Sequence, residues 1–76
     1  MIKEHDRVVL KTSVAVEGLE AGDVGTVVHI YKDREAFEVE FVTLDGRTTA
    51  VVTLEASQLR PVGRHEITHA REMSVA

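Results

Sequence analysis

Residues 19–31, LEAGDVGTVVHIY, constrain the fold more than any other part of the chain, because Gly22 and Gly25 lead directly into a run of β-branched residues. Glycine lets the backbone adopt positive φ or approach another segment closely. β-branched residues favour the half-buried, pleated surface of a sheet. The stretch therefore predicts a turn that leads into a strand over residues 22–31, around which the remaining elements must pack.

Two further turns flank the segment 36–44, in which apolar and polar residues alternate. The charged tetrapeptide 32–35 predicts a hairpin loop, and Asp45-Gly46 favours a two-residue turn whose twist matches that of the flanking strands. These turns predict the facing pairs Leu44 with Arg47, Phe41 with Ala50, Val39 with Val52, Phe37 with Leu54, Ile30 with Phe37, Val28 with Val39, and Thr26 with Phe41.

In this register one row of apolar side chains faces the core, and Glu38 and Glu40 point to the opposite face. A slip of one residue would bury both carboxylates, which is strongly unfavourable without partners. His29 falls opposite Glu38 on the outer face, where a cross-strand charge pair accounts for it.

The ends of the chain complete the prediction. Residues 6–11 form a first strand, and residues 12–21 form a long loop that is pinned by Leu19. Residues 55–58 predict a single helical or 3-10 turn before a short closing strand over 59–62, which belongs at a sheet edge because proline lacks an N–H. The sequence thus predicts one mainly β domain over residues 1–63.

The tail, residues 64–76, carries Ile67, Ala70 and Met73 at helical spacing and either forms a short docked helix or frays. His65 and His69, four residues apart, would share one face of such a helix, with Glu66 or Glu72 nearby. Two histidines on a solvated tail without a cysteine are too few ligands, so no metal site is predicted.

Several motifs carry a resemblance over nearly the whole chain: DRVVL, L-x-x-GD-x-GTVV-x-I, F-x-VEFVTLDG, VVTLEASQLRPV and EI-x-HAR. Together they resemble a family of short, free-standing bacterial proteins known only as a domain of unknown function. The order of the elements resembles an SH3-like small barrel of five antiparallel strands, and the glycine-containing strand is similar to that of KOW-type barrels. The resemblance implies a fold and no established activity.

Composition narrows the classes of function. The 76 residues carry a net charge of −4, with 13 acidic and 9 basic residues, and this balance opposes a large phosphate-binding face. No cysteine is present, and no apolar run approaches the roughly 20 residues needed to span a bilayer, so a cytoplasmic protein without a membrane segment is predicted. The sequence shows no nucleophile paired with a general base, and it shows no cofactor motif. This predicts a protein that is not an enzyme and needs no cofactor.

The register also places apolar residues on the face that should be wet, rimmed by polar residues, and such a pattern indicates a contact surface. The predicted partner-binding residues are Val9, Val27, Glu38, Glu40, Val42 and Val51, with Glu17, Glu20 and Asp23 of the long loop at the rim. Alternatively, the C-terminal tail covers this face through Ile67 and Met73.

These features predict a non-enzymatic interaction module that self-associates or binds a protein partner, for instance as the antidote half of a two-protein system. The alternative is KOW-like nucleic-acid binding through basic residues at the loop ends, namely Lys32, Arg34, Arg47 and Arg60. Nucleic acid is the less favoured partner, given the acidic composition.

Overall fold

The computed structural model describes residues 1–73 and contains five antiparallel strands in one open sheet. The strands are β1 (Arg7–Leu10), β2 (Val24–Ile30), β3 (Ala36–Val42), β4 (Thr48–Glu55) and β5 (Leu59–Pro61), and 3-10 turns cover Ala15–Glu17, Lys32–Arg34 and Ala56–Gln58. The order across the sheet is β4-β3-β2-β1-β5. The predicted mainly β fold, the turn before the last strand and the edge position of Pro61 are confirmed.

One face of the sheet curves around a single apolar core. Leu19 belongs to this core although it lies in the loop between β1 and β2, and it is buried as predicted. Burying an apolar side chain of this size stabilises the fold by roughly 1.5–3 kcal/mol. The core residues are Val8, Leu10, Leu19, Val27, Phe37, Val39, Phe41, Ala50, Leu54 and Leu59.

The turn between β3 and β4 has three residues, 44–46, rather than the predicted two. The Thr43 N–H donates to the Arg47 carbonyl at 2.8 Å, and the Gly46 N–H donates to the Thr43 carbonyl at 2.9 Å. Gly46 has φ +92°, which glycine adopts without strain. The predicted pairing of Leu44 with Arg47 is therefore wrong, because Thr43 takes that place.

A bulge next to this turn returns β3 and β4 to the predicted register. The pairing shifts between Phe41 and Val42, so that Phe41 faces Ala50 while Val42 faces Thr48. Beyond the bulge, the predicted pairs of Phe37 and Val39 with β4 are confirmed. The extra residue in the turn is thus compensated by the extra residue in the bulge.

A second bulge, in β2, overturns part of the predicted pairing between β2 and β3. The pairs near the hairpin loop, Ile30 with Phe37 and His29 with Glu38, are confirmed. The register then shifts between Val27 and His29, which leaves Val28 as the extra residue. The predicted pairs of Val28 with Val39 and of Thr26 with Phe41 are wrong, and the observed ones are Val27 with Val39 and Thr26 with Glu40.

This bulge moves Val27 from the outer face to the core. Val27 is fully buried, whereas Val28 is partly exposed. The prediction that Val27 belongs to an outer contact surface is therefore wrong. Its physical cause is the inserted residue, because side chains alternate strictly only in an unbulged strand.

Gly25 lies where β2 passes under the side chains of β3. A Cβ atom on Gly25 would come within 2.5 Å of Val39 Cγ1 and 2.9 Å of Phe41 Cε1. Only glycine allows so close an approach of backbone to packed side chains. Gly22, in the preceding turn, has φ +98°. The two roles predicted for these glycines are confirmed, one at each position.

The C-terminal segment, residues 64–73, follows β5 as an irregular chain and forms no helix within this described range. Its end returns to the sheet, where Met73 packs against the core. Ile67, in contrast, is 91% exposed. The docked helix predicted for the tail is therefore absent over residues 64–73, and residues 74–76 lie outside the described range.

Candidate interaction surface and acidic turn

The outer face of β3 and β4 carries two of the predicted contact valines. Val42 and Val51 are each 49% exposed. Val9, which was predicted to lie beside them, is buried instead. Val9 is flanked by Val24 and Arg60 on the neighbouring strands, and residues 66–68 of the C-terminal segment line the same hollow. The contact surface is therefore smaller than predicted and centred on β3 and β4.

Hydroxyl groups hold the two glutamates of this surface on the outer face. The Thr48 hydroxyl donates to Glu40 Oε2 at 2.6 Å. The Thr53 hydroxyl donates to Glu38 Oε1 at 2.5 Å. Both threonines lie on β4, across from the carboxylates of β3. The outward orientation predicted for the glutamates is confirmed, and their hydrogen bonds give the valines an ordered polar rim.

His29 adjoins this rim at the end of β2. It lies opposite Glu38 in the predicted register, but the predicted charge pair is not among the ion pairs of the described residues. The Tyr31 hydroxyl donates to Glu38 Oε1 at 3.0 Å, and the His29 and Tyr31 rings meet edge to face with centroids 4.8 Å apart. Glu38 therefore accepts hydrogen bonds from Thr53 of β4 and from Tyr31, just after β2, which orders this corner of the surface.

The long loop ends in a turn that we call the acidic turn, residues 17–23. Within it the Glu20 N–H donates to Asp23 Oδ2 at 2.8 Å, and the Asp23 N–H donates to the Glu20 carbonyl at 3.0 Å. Leu10 ties the turn to the sheet, since its N–H donates to the Asp23 carbonyl and its own carbonyl accepts from the Gly22 N–H. The Asp23 carboxylate is thus held in place by the backbone around it.

Arg71 of the C-terminal segment binds this turn. Its Nε donates to Asp23 Oδ1 at 2.9 Å and its Nη2 donates to Asp23 Oδ2 at 2.6 Å. The same Nη2 donates to the Gly18 carbonyl at 3.1 Å, and Nη1 lies 3.5 Å from Glu20 Oε2. A forked contact of this kind is among the strongest that an arginine makes with a carboxylate.

The surroundings of Asp23 lower the pKa of its carboxyl group. Partial burial alone would raise the pKa of Asp23, but hydrogen bonds from Arg71 and from the Glu20 N–H together with the arginine charge lower it below its usual value. The side chains of Asp23 and Arg71 are only 18% and 26% exposed, so solvent weakens this pair less than an ordinary surface pair. The carboxylate is the form that the folded chain favours.

Sequence reasoning placed Glu17, Glu20 and Asp23 at the rim of the contact surface but did not single out Arg71. Glu17 and Glu20 are exposed, whereas Asp23 is half-buried beneath the arginine. The chain carries several arginines and 13 acidic residues, so composition alone gives no signal for this one pairing. The only indication of Arg71 in the sequence was its position within the EI-x-HAR motif.

A second ion pair fixes the start of the C-terminal segment. Arg60 donates from Nη1 to Glu66 Oε1 at 2.7 Å and from Nη2 to Glu66 Oε2 at 2.6 Å. The Gly63 N–H also donates to Glu66 Oε1, at 2.5 Å. The hydrogen bonds from Arg60 and then from Gly63 lower the pKa of Glu66 to about 2. Arg60, one of the predicted nucleic-acid contacts, is therefore engaged within the chain.

Between these two anchors the C-terminal segment borders a groove of about 490 Å³. Its apolar lining comes from Leu19, Val24, Phe41 and Val42, and residues 68–73 form the opposite wall. The prediction that Ile67 covers the valine surface is wrong, because Ile67 points to solvent. The segment borders Val42 and leaves Val51 outside the groove.

Other kinds of site find little support in the described part of the chain. Among residues 1–73 no three histidine, aspartate or glutamate side chains lie close enough together to hold a metal ion. Within the same residues no helix is long and apolar enough to cross a membrane. The other cations predicted to contact nucleic acid are spread over two hairpin loops, with Lys32 and Arg34 in one and Arg47 in the other, 3.8 Å from Asp45.

Residues 4–61 match the family described as Domain of unknown function (DUF4926). The chain belongs to this family. The matched DUF4926 region contains all five strands and the acidic turn, and it ends before Glu66 and Arg71. The predicted membership of an uncharacterised family is confirmed. No curated protein and no solved structure gives a match to the chain.

Proposed function

We propose that this DUF4926 domain is a non-enzymatic module that binds a protein, either a second copy of itself or a separate partner, through the outer face of β3 and β4. The observation that carries the proposal is the pair Val42 and Val51, half-exposed on a face whose glutamates are already hydrogen-bonded. Apolar residues within an ordered polar rim are typical of the centre of a protein contact.

The proposal includes an SH3-like barrel acting in the cytoplasm. The strand order β4-β3-β2-β1-β5 and the 3-10 turn before the last strand support the barrel. The domain is small enough for association to add usefully to its own modest core. A role as the antidote half of a two-protein system accords with the acidic turn, which would suit a basic partner.

The test of self-association uses Val51→Asp, with Val16→Asp as the matched control. Val16 is strongly exposed and lies outside the sheet, so both changes put an acid in place of an exposed valine. We expect wild type and Val16→Asp to form the same oligomer in size-exclusion chromatography with light scattering, and Val51→Asp to be a monomer.

A wild-type chain that is monomeric at every concentration would leave only a separate partner. That partner is tested by co-purification with the product of the neighbouring gene. Loss of the complex in Val51→Asp alone supports the proposal, and equal binding by both variants contradicts it.

A further inference from the structure

The acidic turn already holds a guanidinium group, and the group comes from a part of the chain that lies beyond the DUF4926 match. Three acceptor groups surround the Arg71 guanidinium: the Asp23 carboxylate through both oxygens, the Gly18 carbonyl and the Glu20 carboxylate. Asp23 is held by backbone hydrogen bonds that do not involve Arg71. One oxygen of the Asp23 carboxylate is therefore also held by a contact that does not involve the arginine.

We propose that the acidic turn is an arginine-binding site for an extended segment of a protein partner, and that residues 64–73 form an autoinhibitory strap whose Arg71 blocks it. The proposal rests on the proposed function as a protein-binding module and names the chemistry of its partner. The site is the turn itself together with the sheet wall of the adjoining groove, which remains when the strap opens, and Val42 connects it to the outer face of the sheet.

Charge favours an arginine-bearing occupant. Apart from the strap itself, the described residues that line the groove include the carboxylates of Asp23 and Asp45 and no arginine or lysine. Release of the strap would remove Arg71 and leave Asp23 in a half-buried position beside Glu20. A guanidinium from another chain would restore the same fork of hydrogen bonds.

The strap is built so that it can be released. Its two ion pairs lie near its ends, at Glu66 and Arg71, and it forms no strand with the sheet over residues 64–73. Ile67, between the anchors, buries almost nothing. Opening therefore breaks side-chain contacts and leaves the hydrogen bonds of the sheet intact.

A closed strap lowers the apparent affinity for the partner by the fraction of molecules in which the site is open. An open fraction between about one in ten and one in a hundred would weaken binding by about 10- to 100-fold. A variant that cannot close the strap should recover this factor. This increase in affinity on removal of an arginine distinguishes a blocking contact from one that only stabilises the fold.

The experiment uses the full chain and a synthetic peptide of residues 62–73, the segment whose Arg71 the acidic turn binds. Calorimetry or fluorescence anisotropy compares wild type, Arg71→Ala and Arg71→Lys. We expect Arg71→Ala to bind the peptide at least tenfold more tightly than wild type. Arg71→Lys, which keeps the charge without the fork, should lie between them and serves if the alanine variant is poorly folded.

Two controls test the site itself. A peptide in which Arg71 is replaced by alanine should bind the Arg71→Ala chain at least tenfold more weakly than the original peptide. Adding Asp23→Asn to the Arg71→Ala chain should weaken binding of the original peptide by a similar factor. Equal binding of both peptides, or no gain on opening the strap, would overturn the proposal.

The oligomeric state shows whether the site is occupied by a second copy of the chain instead of a separate partner. A wild-type dimer that Arg71→Ala converts to a monomer would assign the site to the strap of a second copy and overturn the assignment to a separate partner. The peptide assay depends on the acidic turn, whereas Val51→Asp acts on a residue outside the groove. Failure of the arginine site and failure of the sheet-face proposal are therefore distinguishable.

Discussion

Arg71 and Asp23, 48 positions apart in the chain, are joined by two hydrogen bonds of 2.9 and 2.6 Å that close the C-terminal segment onto the sheet. The pair is more sheltered from solvent than the Arg60–Glu66 pair at the other end of the segment. Closure of the segment should therefore depend chiefly on the contact of Arg71 with the acidic turn.

Asp23→Asn tests this dependence. The change removes the charge from a half-buried hydrogen-bonded pair, and we expect it to lower the free energy of unfolding by about 1–3 kcal/mol. Glu17→Gln, which neutralises an exposed carboxylate of the same turn, should change it by less than about 0.5 kcal/mol. Urea denaturation measures both, and equal effects would show that the ion pair has no special contribution.

The low pKa of Glu66 predicts a pH dependence at the start of the segment. Because the pKa falls from 4.5 to about 2 on folding, this contribution to stability is complete above pH 4.5 and is lost as the pH falls through about 2. An NMR titration of the Glu66 carboxyl group should give this low value in wild type. In Arg60→Gln the pKa should move back toward 4.5, and a wild-type value already there would contradict the pairing.

Gly25→Ala tests the close contact between β2 and β3. The added Cβ meets Val39 and Phe41 at distances that require the core to shift, and we expect a loss of about 1–3 kcal/mol in the free energy of unfolding. Gly63→Ala is the control, because its Cβ would meet only the Glu66 side chain, at 3.1 Å or more, and no core side chain. That variant should lose less than about 0.5 kcal/mol in the same denaturation experiment.

Val27→Ala and Val28→Ala test the position of the bulge. Val27 is fully buried, so its truncation should cost about 2 kcal/mol in unfolding free energy. Val28 is partly exposed and should cost less than about 1 kcal/mol. The opposite ranking would be expected if β2 alternated without a bulge, because Val28 would then face the core, and denaturation of the two variants distinguishes the cases.

The sequence predicts the pairing of β3 with β4 well, because Phe37, Val39 and Phe41 alternate with glutamates that cannot be buried alone. It does not locate the bulge in β2. Val27 and Val28 are identical residues, so either can face the core with no change in the hydrophobic pattern. No charged residue lies close enough to indicate which of the two valines faces the core.

The candidate site likewise has one part that the sequence predicts and one part that it does not. Val42 and Val51 could be placed on the outer face from alternation alone, whereas Val9 is buried and shares its hollow with residues 66–68 of the C-terminal segment. The contact of Arg71 with Asp23 depends on the path of an irregular segment. Hydrophobic periodicity carries no information about such a path.

The inserted residue in β2 brings Val27 and Ile30 to the same side of the sheet at a separation of three, a spacing that an unbulged strand does not allow. A bulge also bends the strand and increases its twist. The extra residue in β2, together with the one in β4, thus bends a sheet of only five short strands towards the core on its inner face.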